Sequence, residues 1–173
     1  LRDTGSYNSE IHLKRRDGEE IFARLNMWSR REQEGELVFI EGLLEDITER
    51  KRTEEKLKLY RRIFMASSDG ITVTDLNGVI IDCNPARVRF TGRSREELTG
   101  ADQTEGLHPA DMEKIYEAIG KDGQFRGEVR TEPRNGEVYY IDLSVFPITN
   151  NEGKPVYYVG MGRDVTERRR AEE

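Results

Sequence analysis

A chain of 173 residues fits one domain, or one domain with a fragment of another, and excludes a large multidomain enzyme. Its 28 basic and 34 acidic residues leave a formal charge of -6, so nothing draws the molecule as a whole toward nucleic acid or anionic lipid. Charged residues reach 36%, against the usual ~25%, as suits a small domain with much solvated surface, and the lone Cys83 excludes an internal disulfide or a zinc site of several thiolates.

The first strands announce themselves by alternation. Ile21, Ala23, Leu25 and Met27 form an apolar row, while Phe22, Arg24, Asn26 and Trp28 form a second row with a polar middle and aromatic ends. A half-buried antiparallel sheet produces this pattern, and the DG pair at 17–18 supplies a hairpin turn. The stretch TERKRTEEKLKLYRRIFMASS follows, free of Gly and Pro, and predicts a linker helix over 48–66 about 30 Å long. Leu57, Tyr60 and Phe64 keep a-d-a spacing, but Arg50 and Thr53 hold the preceding seam positions, so a coiled-coil signal covers only the C-terminal half. These apolar residues either pack on the sheet of their own domain or form a dimer seam.

Strands GITVTDL and VIIDC come next around the LNG turn (76–78), then helices with clear start signals. Asn84 before Pro85 is an N-cap before an N1 proline. Ser94-Arg95-Glu96-Glu97 is a capping box, and Pro109 opens a helix whose Met112, Ile115, Tyr116 and Ile119 share one face before Gly120. The closing strands place Tyr139, Ile141, Leu143 and Val145 on one face and Tyr140, Asp142, Ser144 and Phe146 on the other, with turns at NG (135–136) and NNEG (150–153). Five antiparallel strands with helices inserted after the second make an α+β domain.

Part of this unit occurs twice. Gly18 to Gly136, Gly35 to Gly153 and Asp46 to Asp164 are each separated by 118 positions, and residues 1–55 overlay 119–173 without a gap at 17 identities. The expected organisation is therefore the last three strands of one unit (1–47), a helical linker (48–66), a complete unit (67–166) and the start of an outgoing helix (167–173). The chain reads as a slice of a longer array. Three strands alone cannot bury an apolar face, which calls for a cover over the first sheet.

The entry SSDGITVTDLNGVIIDCNPA (67–86), the stretches TGRSREELTG (91–100) and LHPADMEKI (107–115), the strands RNGEVYYIDLSVFPI and the closing GRDVTERR together resemble a PAS sensor domain with its C-terminal PAC motif. Residues 1–50 resemble the end of a preceding copy. The resemblance implies a PAS-like five-stranded antiparallel sheet with flanking helices, in tandem arrays upstream of a histidine kinase, a diguanylate cyclase or another output. It also implies that the Asp-x-Thr closure, here Asp46 and Thr48 and again Asp164 and Thr166, couples the last strand to the outgoing helix. Residue chemistry allows a local version: a carboxylate and a hydroxyl at a helix start accept from orphan N–H groups, and Asp46 could pair with Arg50.

Catalytic chemistry is not visible. No nucleophile with a base, phosphate loop or metal-ligand spacing emerges, and the Glu-Glu pairs read as solvated surface. The expectation is a non-catalytic segment of a signalling protein, with no metal and no cofactor. Flavin photosensors of the light-oxygen-voltage kind need a cysteine where this chain has GADQTEGLHPAD. Cys83 reads as a small buried hydrophobe whose pKa Asp82 would raise. Heme-binding members supply an axial histidine near His108, but the HPAD stretch resembles heme-free members, in which that histidine caps or packs at the helix entry.

A pocket between sheet and helices remains the candidate ligand site, lined by Ile71, Val73, Phe90, Ile115, Ile141, Leu143, Val145, Val159 and Met161, with Asp82, Thr72 or Thr74 as polar contributors. Candidate interface residues are Phe22, Trp28, Leu57, Tyr60, Phe64, Tyr140 and Phe146. The reading is a relay module that couples perception to an output domain in the same chain, as a homodimer through linker helices and the outer sheet face. A ligand-free structural dimerisation spacer is the first alternative, and a heme- or flavin-bearing sensor of redox state or gas is the second. No apolar run reaches the ~18 residues that would cross a bilayer. The segment is therefore expected in the cytoplasm without direct membrane contact or nucleic acid, although its parent could be membrane-anchored.

Overall fold

The structure, a computed structural model, describes residues 2–31, 37–131 and 138–172. It divides into two compact units, Leu1–Arg61 and Arg62–Glu173. In the first, β1 (Arg2–Lys14), β2 (Glu20–Arg31) and β3 (Leu37–Asp46) pair antiparallel in that order. The first turn needs its glycine, since Gly18 sits at φ 91°. Ala23 is buried and Leu25 and Met27 are half-buried, whereas Ile40 and Leu44, which share their face, stay exposed. Helix α1 then runs Thr48–Ala66.

The second unit is a five-stranded antiparallel sheet in the order β5-β4-β8-β7-β6, built from β4 (Gly70–Thr74), β5 (Ile80–Cys83), β6 (Phe125–Thr131), β7 (Tyr139–Thr149) and β8 (Pro155–Asp164). Helices α2 (Pro85–Thr91), α3 (Arg95–Leu98) and α4 (Pro109–Asp122) lie between β5 and β6, and α5 (Thr166–Glu172) closes the unit. The 118-residue offset is a structural fact: β3 and β8 start and end at equivalent positions, as do the first residues of α1 and α5. The hairpin turn expected at 135–136 lies outside the described residues.

The helix starts follow the local sequence chemistry. Asn84 Oδ1 accepts from the amide of Arg87 at 3.0 Å ahead of Pro85, and Ser94 and Glu97 exchange both bonds of the capping box. Helix α4 continues through Gly120, where the sequence suggested an end, and stops at Gly123, whose φ is 72° and whose N–H donates to the carbonyl of Ile119. Glycine inside a helix costs only about 1 kcal/mol. The left-handed cap is what demands it, and that position falls at 123. On this helix Ile115 is buried, but Tyr116 turns to solvent.

Two apolar clusters form the core: Ile80, Cys83 and Leu98, flanked by Val88, and Ile115, Val129 and Ile141, flanked by Leu107, Ile119, Phe125 and Leu143. Register decides which residues reach them. On the inner face Val145 stands opposite Gly160, Leu143 opposite Gly162 and Thr72 opposite Gly160. A Cβ on Gly162 would come within 2.7 Å of Ile141 Cγ2, and one on Gly70 within 2.9 Å of the Phe90 ring. The inner face of β4 and β8 is therefore small by necessity, because α2 lies directly against β4.

Candidate functional site

Each sheet is fastened to the helix that leaves it by the same three hydrogen bonds, to which the first unit adds a fourth from the Thr48 hydroxyl. In the first unit Asp46 Oδ1 accepts from the amide of Thr48 at 3.0 Å and from its hydroxyl at 2.6 Å, while Thr48 Oγ1 accepts from the amide of Phe22 at 2.9 Å. The amide of Ile47 donates back to the carbonyl of Phe22 at 2.8 Å. In the second unit Asp164 Oδ1 accepts from the amide of Thr166 at 2.9 Å, Thr166 Oγ1 from the amide of Tyr140 at 3.0 Å, and the amide of Val165 donates to the carbonyl of Tyr140 at 2.9 Å. Thr48 and Thr166 are both buried. Two of the four orphan N–H groups at each helix start are satisfied by the closing aspartate and by the neighbouring strand, so the cap and the sheet form one network.

Donation from Thr48 holds Asp46 below the usual carboxylate range, helped by the charge of Arg15, whose Nη2 lies 3.2 Å from Asp46 Oδ2. The pairing of Asp46 with Arg50 expected from sequence is not made. The helix points Arg50 at Glu54, one turn on, at 2.9 Å, and toward Glu10 at 3.8 Å.

Glu10 is one of three contributors that sequence reasoning passed over. Its carboxylate takes Lys51 and Arg50 from α1 together with Arg24 from β2. At the equivalent place Glu128 of β6 takes Arg168 and Arg169 of α5, the latter at 2.9 Å. A second tie thus joins the outgoing helix to β1 or β6, and the identity of Glu10 with Glu128 in the gapless overlay was its signal.

The second is Asn84, fully buried, with all four hydrogen-bonding positions used. Oδ1 accepts from the amides of Ile71 and Arg87, and Nδ2 donates to the carbonyls of Phe64 at 3.2 Å and Asp69 at 2.9 Å. It joins the end of α1 to β4 and α2, a role its N-cap signature alone does not reveal. The third is Asp111, whose Oδ2 accepts from the amide of Arg130 at 2.9 Å, tying α4 to β6. Burial raises its pKa, but Lys114 and that amide outweigh burial and lower it.

Between sheet and helices lie two adjoining cavities. Phe90, Ile115, Ile141, Leu143 and Val145 line the smaller, about 50 Å³, where Thr72 and Arg87 add polar groups. The larger, about 200 Å³, shares Arg87, Phe90 and Ile141 and reaches Leu98 and Arg93. Four residues expected in the lining stand elsewhere. Ile71 and Val73 on β4, and Val159 and Met161 on β8, face away from the helices, because the pleat that sets Gly70, Thr72 and Gly160 inward sets them outward. Asp82 likewise stands on that outer side, 2.7 Å from Arg95, and Thr74 is buried with its hydroxyl unpartnered outside both linings.

Cys83 is buried, and burial, with the charge of Asp82 behind it, pushes its thiol up. His108 caps α4, its Nδ1 accepting from the amide of Ala110 at 3.3 Å. Of the interface candidates, Leu57 and Tyr60 are each 62% exposed and Trp28 37%, while Phe64 and Phe146 are half-buried. Phe22 stacks on His12 at 4.7 Å between ring centroids, and Arg169 lies over the ring of Tyr140. Among the described residues no group of His, Cys, Asp and Glu is placed to hold a metal ion, and no helix is long and apolar enough to cross a membrane.

Comparison with known proteins gives one consistent result. The chain is 28% identical over 130 residues to the probable diguanylate cyclase DgcE of Escherichia coli (strain K12), covering 72% of this chain and 12% of that protein. It is 27% identical over 137 residues to sporulation kinase E of Bacillus subtilis (strain 168), covering 75% of this chain and 18% of that one. The chain thus spans less than a fifth of the length of either relative. The crystal structure of a PAS domain of a protein from Colwellia psychrerythraea superposes with a TM-score of 0.60 at 31% identity, over 65% of this chain and 99% of that one. Residues 1–49 and 68–167 match the PAS domain model itself, and with both sheets inside those stretches, the chain belongs to the PAS domain family.

Proposed function

We propose that this segment is a non-catalytic sensory and relay module of a multidomain signalling protein, acting in the cytoplasm. A ligand, a partner or an upstream domain shifts strand packing in a unit, and the shift leaves through the helix clasped to its sheet. The observation that carries this reading is the duplication of the clasp: Thr48 on Phe22 and Thr166 on Tyr140 make the same bonds 118 residues apart. A cap needed only to start a helix would not have to accept from a strand of the sheet as well. Asn84 supplies the matching entry point, since it binds the carbonyl of Phe64 near the end of α1 and the amide of Ile71 in β4.

The module works as a homodimer in which Leu57 and Tyr60 of α1 form the seam, and the output is a kinase or cyclase domain of the same chain. The exposure of both side chains supports the seam, and the relatives named above support the class of output. Inserting one residue before Lys56 turns everything downstream by about 100° while leaving both sheets intact. Output of the parent protein should then lose its regulation, and fully regulated output would end the relay reading.

A further inference from the structure

Arg87 stands on the inner face of α2, and α2 lies so close to β4 that a Cβ on Gly70 would sit 3.4 Å from the Arg87 Cα. This seat carries the guanidinium into the domain, where it lines both cavities. Its Nε is closed to solvent and has no hydrogen-bond partner. Among the described residues no carboxylate pairs with it. Burial pulls its pKa below the ordinary guanidinium value, and Arg93 adds to that pull. Acidic groups on the larger cavity are already engaged: Glu105 by Arg93 at 2.6 Å, Asp102 by the amide and hydroxyl of Thr104, and Asp164 by the amide of Thr166.

A half-buried guanidinium whose Nε is shut off from water and which has no counter-charge beside it costs the fold that holds it, and an apolar side chain of similar size would serve packing better. The residue therefore makes sense in terms of what enters the cavity. We propose that the cavity takes a small organic carboxylate, its carboxyl group on the fork of Arg87 and its apolar body against Phe90, Leu98 and Ile141. The planar fork matches a carboxylate in two parallel bonds. A phosphate, with its higher charge, would meet the carboxylates of Asp102, Glu105 and Asp164 on the same cavity more strongly than a carboxyl group would. A volume of about 200 Å³ suits a compact molecule, below the ~300 Å³ at which pockets for drug-sized ligands begin.

The proposal rests on the sensory reading and gives its ligand a chemistry. Calorimetric titration of the 173-residue chain in low-salt buffer at pH 7, with benzoate, benzamide and inorganic phosphate as probes, tests it. Benzoate should bind at one site per chain, benzamide and phosphate at least tenfold more weakly, and Arg87→Gln should lose at least tenfold in benzoate affinity. Without any probe, Arg87→Met should raise the melting temperature, because a half-buried charge without a counter-ion is gone. Equal binding of benzamide, tighter binding of phosphate, no binding of benzoate at millimolar concentration, unchanged affinity in Arg87→Gln or a lower melting temperature in Arg87→Met would each overturn it. None of these outcomes touches the relay reading, which falls only if the insertion before Lys56 leaves output regulated.

Discussion

The hydroxyl of Thr166 accepts a hydrogen bond from the amide of Tyr140 at 3.0 Å, so the first residue of α5 closes the backbone of β7. Two residues earlier, Asp164 ends β8 and accepts from the amide of Thr166. A displacement of β7 against β8 must therefore stretch a bond to the helix or carry the helix along. The equivalent bonds at Thr48 give α1 the same constraint at its start.

Acid should loosen the first clasp. The pKa of Asp46 is lowered by the hydroxyl and amide of Thr48, so its contribution is fully present above the ordinary carboxylate value of about 3.9 and is lost as pH falls through the lower folded value. NMR titration should find Asp46 below that ordinary value, with faster exchange of the Thr48 amide only in acid. Titration at or above it would show that the hydrogen bonds do not hold the carboxylate.

The carboxylate clamp should hold the helix with little effect on overall stability. Glu128 and Arg169 are part-exposed, so Glu128→Gln should change unfolding free energy by less than about 1 kcal/mol. A double-mutant cycle with Arg169→Gln should return a coupling of about 0.5 kcal/mol that fades toward 1 M salt. Coupling of zero at low salt would reduce the contact to a passing encounter.

Asn84→Asp tests the entry point. It removes both donors to Phe64 and Asp69 and sets a charge in a fully buried place, at a cost of about 3–5 kcal/mol in urea unfolding. The final turn of α1, read through exchange of the Ser67 amide bonded to the carbonyl of Ile63, should lose protection first. A cost below 1 kcal/mol would mean that Asn84 is an ordinary cap.

The two inner-face glycines of β8 should respond unequally. Gly162→Ala drives a methyl to 2.7 Å from Ile141 and should cost about 1–3 kcal/mol, whereas Gly160→Ala meets Leu143 at 3.9 Å and should be nearly neutral. Thermal unfolding of both variants decides it, and equal effects would refute the inner-face register.

These contrasts mark where sequence reasoning succeeds. Alternation across Ile141, Leu143 and Val145 gives their face correctly, because β7 packs apolar residues toward the helices in the ordinary way. In GITVT the same rule misleads: the inward residues are Gly70, Thr72 and Thr74, chosen small so that α2 can lie on the strand, and the larger Ile71 and Val73 go outward. Caps and turns are local and legible, as at Ser94 and Gly18. Arg87 was not, since a basic residue on a short helix reads as surface until the approach of Gly70 shows which way the helix faces.

Hydrogen exchange on Thr166→Val tests the coupling of sheet to helix most directly. Valine keeps the shape and removes the acceptor for the Tyr140 amide. The expected result is faster exchange at Tyr140 together with fraying of α5, while β4 and β5 keep their protection. Fast exchange at Tyr140 with α5 as protected as before would contradict the coupling, because the helix would then be indifferent to the strand it is bonded to.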